Sequence, residues 1–131
     1  MEAKSAPRIL VVEDDPPLRR LARVTLESMG LQVDEVSSGK NAIRHLETKT
    51  PALVCLDLML PEISGFDVCD HMRRTPRLSK VPVLVMSTRT HPVDRAYAEE
   101  AGATGYITKP FKIDEFLGEV RRLLVSAGAL Q

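Results

Sequence analysis

The sequence predicts an α/β protein built on a five-stranded parallel sheet, doubly wound, with strand and helix alternating five times. Three observations carry that prediction. Short apolar runs at 8–12 (RILVV), 52–56 (ALVCL) and 81–86 (VPVLVM) are continuous rather than alternating, as strands covered on both faces are. The segments between them repeat their apolar residues at spacings of three and four, the helical pattern. Strands that alternate with helices need right-handed crossovers, which make the strands parallel and place helices on both faces.

Taken in order, the first strand at 8–12 runs into Glu13-Asp14-Asp15 and then Pro16-Pro17. Leu18, Leu21, Ala22, Leu26 and Met29 form the face of a first helix, stopped by Gly30. Residues 31–36 (LQVDEV) alternate in part, which suits a strand nearer an edge. Ser38 caps a helix using Ala42, Ile43 and Leu46, ended before Pro51. After the strand at 52–56, Ser64 caps a helix with Phe66, Cys69 and Met72 inward and Pro76 beyond it. His91-Pro92 opens a fourth helix that Gly102 ends, and 104–108 (TGYIT) is a short fifth strand. Ile113, Phe116, Leu117, Val120, Leu123 and Leu124 form the clearest amphipathic stripe of the chain.

The 131 residues suffice for one domain with a real core, and 18 basic residues balance 18 acidic ones. That balance argues against non-specific binding to nucleic acid or to an anionic membrane. No stretch is long and apolar enough to span a bilayer, and MEAKSAPR lacks the apolar core of an export signal. Cys55 and Cys69 sit in apolar surroundings and read as buried free thiols in a reducing compartment, so the expected location is cytoplasmic.

In a doubly wound sheet the ligand site lies beyond the carboxyl ends of the strands. There the chain places Glu13 and Asp14, then Asp57, Ser87 and Lys109-Pro110. Polar residues are common at strand ends, but this set is complementary in charge. Two carboxylates about 4 Å apart repel by roughly 4 kcal/mol at an effective dielectric near 20, so clustered acids call for a cation. A hard divalent ion such as Mg²⁺ suits carboxylates, waters and a phosphate, and no His or Cys converges there to favour zinc. In that setting Asp57 can attack a phosphoryl group in line, Lys109 can hold one of its oxygens and Ser87 can donate to another.

The stretches "ILVVEDD", "LDLMLPEISG", "VLVMST" and "AGATGYITKPF", in this order, resemble a response-regulator receiver domain of two-component signalling, a flavodoxin-like, CheY-like fold. The resemblance runs from about Pro7 to Ser126. Residues 1–7 are then expected as a flexible N-terminus, 8–126 as the receiver and 127–131 as a tail. It implies that Glu13 and Asp14 are the acidic pair that holds Mg²⁺, with Asp15 in the next, often acidic, position. Asp57 is implied as phospho-acceptor and the Met59 backbone carbonyl as a further metal ligand. Ser87 and Tyr106 fall on the switch positions, Lys109 on the family's lysine, and Pro110 follows it through a cis bond as is typical there. The phosphoryl group would come from a histidine kinase, a phosphotransfer protein or a small phosphodonor. Phosphorylation would remodel the face made by the fourth helix, fifth strand and fifth helix, toward a downstream protein target or a second copy of the chain.

Departures from the pattern bear on rate and pairing. Thr88 stands where the family has Ala or Gly, narrowing the approach to Asp57. Met59 and Arg89 occupy the positions that tune dephosphorylation, and neither positions a water, so a slowly decaying phosphoryl group is expected. Thr104-Gly105 replace two acids, and Glu119 lies where a basic residue is usual, so the salt-bridged dimer of winged-helix regulators is not supported.

Plainer readings stand beside these. Tyr106 is otherwise a rim aromatic. Arg19, Arg20 and Arg23 form a solvated face, with kinase docking as the sharper alternative. Arg73, Arg74 and Arg77 read as an exposed basic loop, and His45, His71 and His91 as surface residues. Against the phosphorylation switch stand a degenerate receiver acting as a constitutive interaction module and a small aspartyl phosphatase. The latter usually has a second acid where this chain has Met59. As a phospho-acceptor the chain would modify itself without turning over an independent substrate. No output domain follows residue 131, which leaves a stand-alone receiver or a piece of a longer regulator, with no direct contact to nucleic acid from this chain.

Overall fold

A computed structural model describes residues 6–131. The chain runs β1 (Arg8–Val12), α1 (Pro16–Glu27), β2 (Gln32–Val36), α2 (Gly39–Thr48), β3 (Leu53–Asp57), α3 (Gly65–Arg74), β4 (Val83–Ser87), α4 (Pro92–Glu100), β5 (Gly105–Thr108) and α5 (Ile113–Ser126), with a 3-10 turn at Pro76–Leu78. The strands are all parallel in the order β2-β1-β3-β4-β5, with β2 at an edge as its partial alternation predicts. The chain steps from β1 outward to β2 and returns past it to β3, so the switch point lies between β1 and β3.

Strand periodicity divides the core in two. Leu10, Val12, Val54, Leu56, Val83, Val85 and Tyr106 face α2, α3 and α4. Their neighbours Ile9, Val11, Leu53, Cys55, Leu84, Met86 and Ile107 face α1 and α5. Both faces are covered, which is why these strands read as unbroken apolar runs. Burial pushes the Cys55 thiol up to about 12, and Cys69 is buried and free as well. Among the described residues no helix is long and apolar enough to cross a membrane.

Local chemistry sets the boundaries. Ser38 Oγ accepts the Asn41 N–H, and Ser64 with Asp67 forms a reciprocal capping box on α3. Gly102 follows α4 at φ +111°, a conformation that side chains resist. Two strands end one residue later than the apolar runs predict: β3 includes Asp57 and β4 includes Ser87. Pro82 has no N–H to give the ladder, so β4 begins after it, although its carbonyl accepts from Val54.

Several side chains depart from the sequence reading. Leu21 is 42% exposed because the buried line of α1 passes through Ala22, Thr25 and Leu26 instead. Ile113 opens α5 before the helix reaches the sheet and is exposed as well. His45 is not a surface residue: its Nε2 lies 2.8 Å from Asp34 and its side chain is 14% exposed. Of the three arginines read as an exposed basic loop, Arg73 is corrected. Arg73 is half-buried on α3 and donates to the carbonyls of Gly102 (2.7 Å), Val81 (2.8 Å) and Ser79 (3.0 Å), while Arg77 donates to the carbonyls of Leu46 and Lys49 at the end of α2. Carbonyls left over where helices and turns end draw these guanidiniums in. Arg74 is exposed as expected, at 78%, and loosely paired with Asp70, and Arg77 is exposed too although its guanidinium is tied to carbonyls.

Arg73→Ala is therefore expected to cost about 2–3 kcal/mol by urea unfolding, since several carbonyls lose a charged donor. Arg74→Ala should stay within about 0.5 kcal/mol. Equal losses for the two would refute the distinction between tie and surface pair.

Candidate functional site

The carboxyl ends of β1, β3, β4 and β5 bring the predicted residues to one edge of the sheet. Glu13 and Asp14 follow β1, Asp57 ends β3, Ser87 ends β4 and Lys109 follows β5. Glu13, Asp57 and Ser87 are buried, at 1%, 4% and 0% exposure, whereas Asp14 and Asp15 are exposed. Each of Glu13, Asp14 and Asp57 offers a carboxylate oxygen within 4.8 Å of the other two. Three oxygen donors at that separation, with no nitrogen or sulfur among them, fit a hard divalent cation better than zinc.

Lys109 Nζ lies 2.6 Å from Glu13 Oε1 and 3.3 Å from Asp57 Oδ2, so it spans the two buried acids and sits closer to Glu13. Glu13 Oε2 also accepts the Asp15 N–H at 3.1 Å. Burial raises the Glu13 carboxyl from 4.5 to about 7, offset in part by its bonds to Lys109 and Asp15, with the charge of Asp57 adding to the rise. Asp57 Oδ1 accepts the Met59 N–H at 3.0 Å, and the Met59 side chain stands 50% exposed beside it. Lys109-Pro110 is cis, as the sequence predicts.

Beside this charged trio lies a second, uncharged set. Ser87 Oγ accepts the Arg89 N–H at 3.1 Å, and the Tyr106 hydroxyl donates to the Arg89 carbonyl at 2.8 Å. Tyr106 is 8% exposed and points inward, with the Arg95 guanidinium 5.0 Å from its ring centroid. The Arg89 side chain turns away toward Asp94 on α4, at 3.2 Å, and Thr88 is exposed.

Two contributors were not singled out from the sequence for this site. Arg19 donates to the Glu13 carbonyl at 2.9 Å and approaches Glu35, so of the three arginines on α1 it is the one that supports the acidic loop. Arg23 pairs with Glu35 and Glu27, leaving Arg20 as the solvated one. A helical spacing of three from Pro16, at the start of α1, was the available signal for Arg19. Gly65 backs the Asp57 carbonyl so closely that a Cβ there would fall 2.3 Å from its oxygen. Its place right after a capping serine was the only hint.

The pH dependence of the ion-free protein follows from Glu13. A carboxyl raised on folding contributes stability that is complete below 4.5 and lost as pH rises through about 7. The urea midpoint of Glu13→Gln, measured against wild type in chelator, is expected to gain on wild type between pH 5 and pH 7.5. A difference that stays constant across that window would remove Glu13 as the titrating group.

Comparison with known proteins agrees with this geometry. Over 118 residues the chain is 38% identical to the DNA-binding dual master transcriptional regulator RpaA of Synechocystis, covering 90% of this chain and 49% of that protein. It thus spans about half the length of that relative. The solved signal receiver domain of a histidine kinase from Syntrophus aciditrophicus superposes with TM-score 0.85 at 34% identity, covering 92% of both chains. The receiver domain of the sensor histidine kinase PA1611 from Pseudomonas aeruginosa, solved with a magnesium ion coordinated in its active site cleft, matches with TM-score 0.85 at 28% identity, over 92% of this chain and 98% of that one. Residues 9–121 match the response regulator receiver domain, and it is to this family that the chain belongs.

Proposed function

We propose that Asp57 is the phospho-acceptor of this receiver and that its modification resets the contacts of Ser87, Arg89 and Tyr106. The observation that carries the proposal is the setting of Asp57: buried, held by the Met59 N–H, and faced by both Lys109 and the Glu13-Asp14 pair. An Asp57 oxygen forms a bond to phosphorus while the bond from phosphorus to the donor breaks, the electron pair leaving with the donor. Phosphohistidine on a kinase or phosphotransfer protein, or a small phosphodonor, supplies the group. Lys109, 3.3 Å from Asp57, would pair with an oxygen of the new phosphoryl group, and the Ser87 hydroxyl would turn to donate to another.

Glu13, Asp14, Asp57 and the Met59 carbonyl are the groups that would hold Mg²⁺. Bound there, the ion supplies charge neutralisation for the phosphoryl oxygens. The oxygen-only donor set and the magnesium of the PA1611 receiver support this choice. A constitutive interaction module is not favoured, because the complete set of charged groups is costly to bury without a use. Two free buried thiols support a reducing, cytoplasmic setting. Leu21 and Val24, exposed on α1 next to Arg20, support that face as the kinase contact. The downstream partner, or a second copy, would meet α4, β5 and α5.

Amide NMR spectra with Mg²⁺ before and after beryllofluoride test the acceptor. Resonances of Ser87, Arg89 and Tyr106 are expected to move in wild type and to stay in place in Asp57→Ala. Movement in both proteins would sink the assignment. Because a proton must leave Glu13, Mg²⁺ affinity by titration calorimetry should rise with pH up to about 7 and then level off. A flat profile between pH 5.5 and 7.5 would exclude Glu13 from the site.

With Met59 and Arg89 placing no water-orienting group beside Asp57, the aspartyl phosphate is expected to persist for minutes or longer at room temperature. Decay within seconds, followed with radiolabelled protein, would overturn this.

A further inference from the structure

A groove of about 1040 Å³ opens between the β3–α3 loop and α4, beside Asp57 but largely outside the charged site. Leu58 and Leu60 form its floor, at 2% and 6% exposure. Met59 makes one wall, and Val93 and Tyr97, one helical turn apart on α4, make the other, at 50%, 54% and 63% exposure. Single exposed apolar residues mean little, but apolar side chains that line both sides of one groove mark a contact surface.

The rim is acidic. Asp14, Asp94 and Glu100 line it against one basic residue, Arg89; the Arg89–Asp94 pair cancels, which leaves Glu100, together with Asp14 while no ion is held there, as the net charge. An occupant therefore gains from positive charge around an apolar stripe. No sheet edge borders the groove, so an extended segment would find no backbone ladder to join. A helix satisfies its own backbone and can lay an apolar face between the two walls.

We propose that this groove is a docking surface for a basic amphipathic helix of a partner protein. The inference stands on shape and charge and does not require the phosphoryl chemistry at Asp57.

Two synthetic helical peptides of about 15 residues test it, long enough to carry about four turns. Both have leucines at spacings of three and four; one has lysines at its polar positions, the other glutamates. In ¹⁵N amide titrations the lysine peptide is expected to shift Met59, Phe66, Val93 and Tyr97, while the glutamate peptide leaves them in place. Val93→Ser with Tyr97→Ser should weaken the lysine peptide by about tenfold, the loss typical of an aromatic anchor and its neighbour. Glu100→Lys should weaken it too and admit the glutamate peptide. The variants are at exposed positions, and the unchanged remainder of the spectrum reports that the fold is kept. Shifts that gather on α1 or α5, equal binding of the two peptides, or no movement in the groove at millimolar peptide would each overturn the proposal. So would groove resonances that move with protein concentration alone, which would assign the surface to a second copy of the chain.

Discussion

Lys109 Nζ stands 2.6 Å from Glu13 and 3.3 Å from Asp57, so a single ammonium answers two buried carboxylates where β1 and β3 part. Two like charges about 4 Å apart cost roughly 4 kcal/mol at an effective dielectric near 20, a large share of a domain's net stability. The lysine offsets one of them, and the exposed Asp14 can remain in water. Burial first, and then the remaining charge of Asp57, holds the carboxyl of Glu13 up at about 7. The site is thus short of positive charge, and that shortage makes it receptive to a divalent cation.

The sheet sorts the parts of the site by the same alternation that sorts its core. Glu13, Asp57 and Lys109 continue the register of Ile9 and Val11, of Leu53 and Cys55, and of Ile107, the set facing α1 and α5. Ser87 and Tyr106 continue the register of Val83 and Val85 and of the face toward α2, α3 and α4. Glu13, Asp57 and Lys109 therefore leave the sheet toward one layer and Ser87 and Tyr106 toward the other, though their backbones are neighbours: Asp57 pairs with Met86, and Ser87 pairs with Thr108. A change at Asp57 has only one strand to cross before it reaches the layer that contains α4.

Much of this was legible in the sequence because it rests on short-range rules. Continuous apolar runs mark the buried strands, serine caps mark the starts of α2 and α3, and the strand-end rule gathers Glu13, Asp57, Ser87 and Lys109. What escaped depends on groups distant in sequence. Arg73 looked like part of an exposed basic loop, since nothing local says that carbonyls at Val81 and Gly102 would converge on it. His45 looked exposed because its partner, Asp34, lies on a different strand-helix unit. Leu21 looked buried because periodicity finds an apolar face but not how wide the covering surface is. Thr104 has a use of its own: its hydroxyl accepts the Val83 N–H and donates to the Val83 carbonyl, closing the ladder where β4 and β5 begin.

The hydrogen bonds of Arg89 tie Ser87, Tyr106 and the start of α4 into one unit. Its N–H is given to Ser87 Oγ and its carbonyl is taken by the Tyr106 hydroxyl, so one peptide segment holds both residues. Its side chain holds Asp94, and Arg95 one residue beyond covers the Tyr106 ring, which binds the start of α4 into the same unit. The Ser87 hydroxyl can keep accepting from Arg89 while its proton is donated elsewhere, but only along directions the lone pairs allow. If it turns toward a group on Asp57, the Arg89 peptide must follow or lose its partner. A shift of that peptide carries the Tyr106 acceptor with it, and through Asp94 the first turn of α4. The sequence draws attention to the Arg89 side chain, yet the link between Ser87 and Tyr106 runs through its backbone, which any residue but proline at that position would supply.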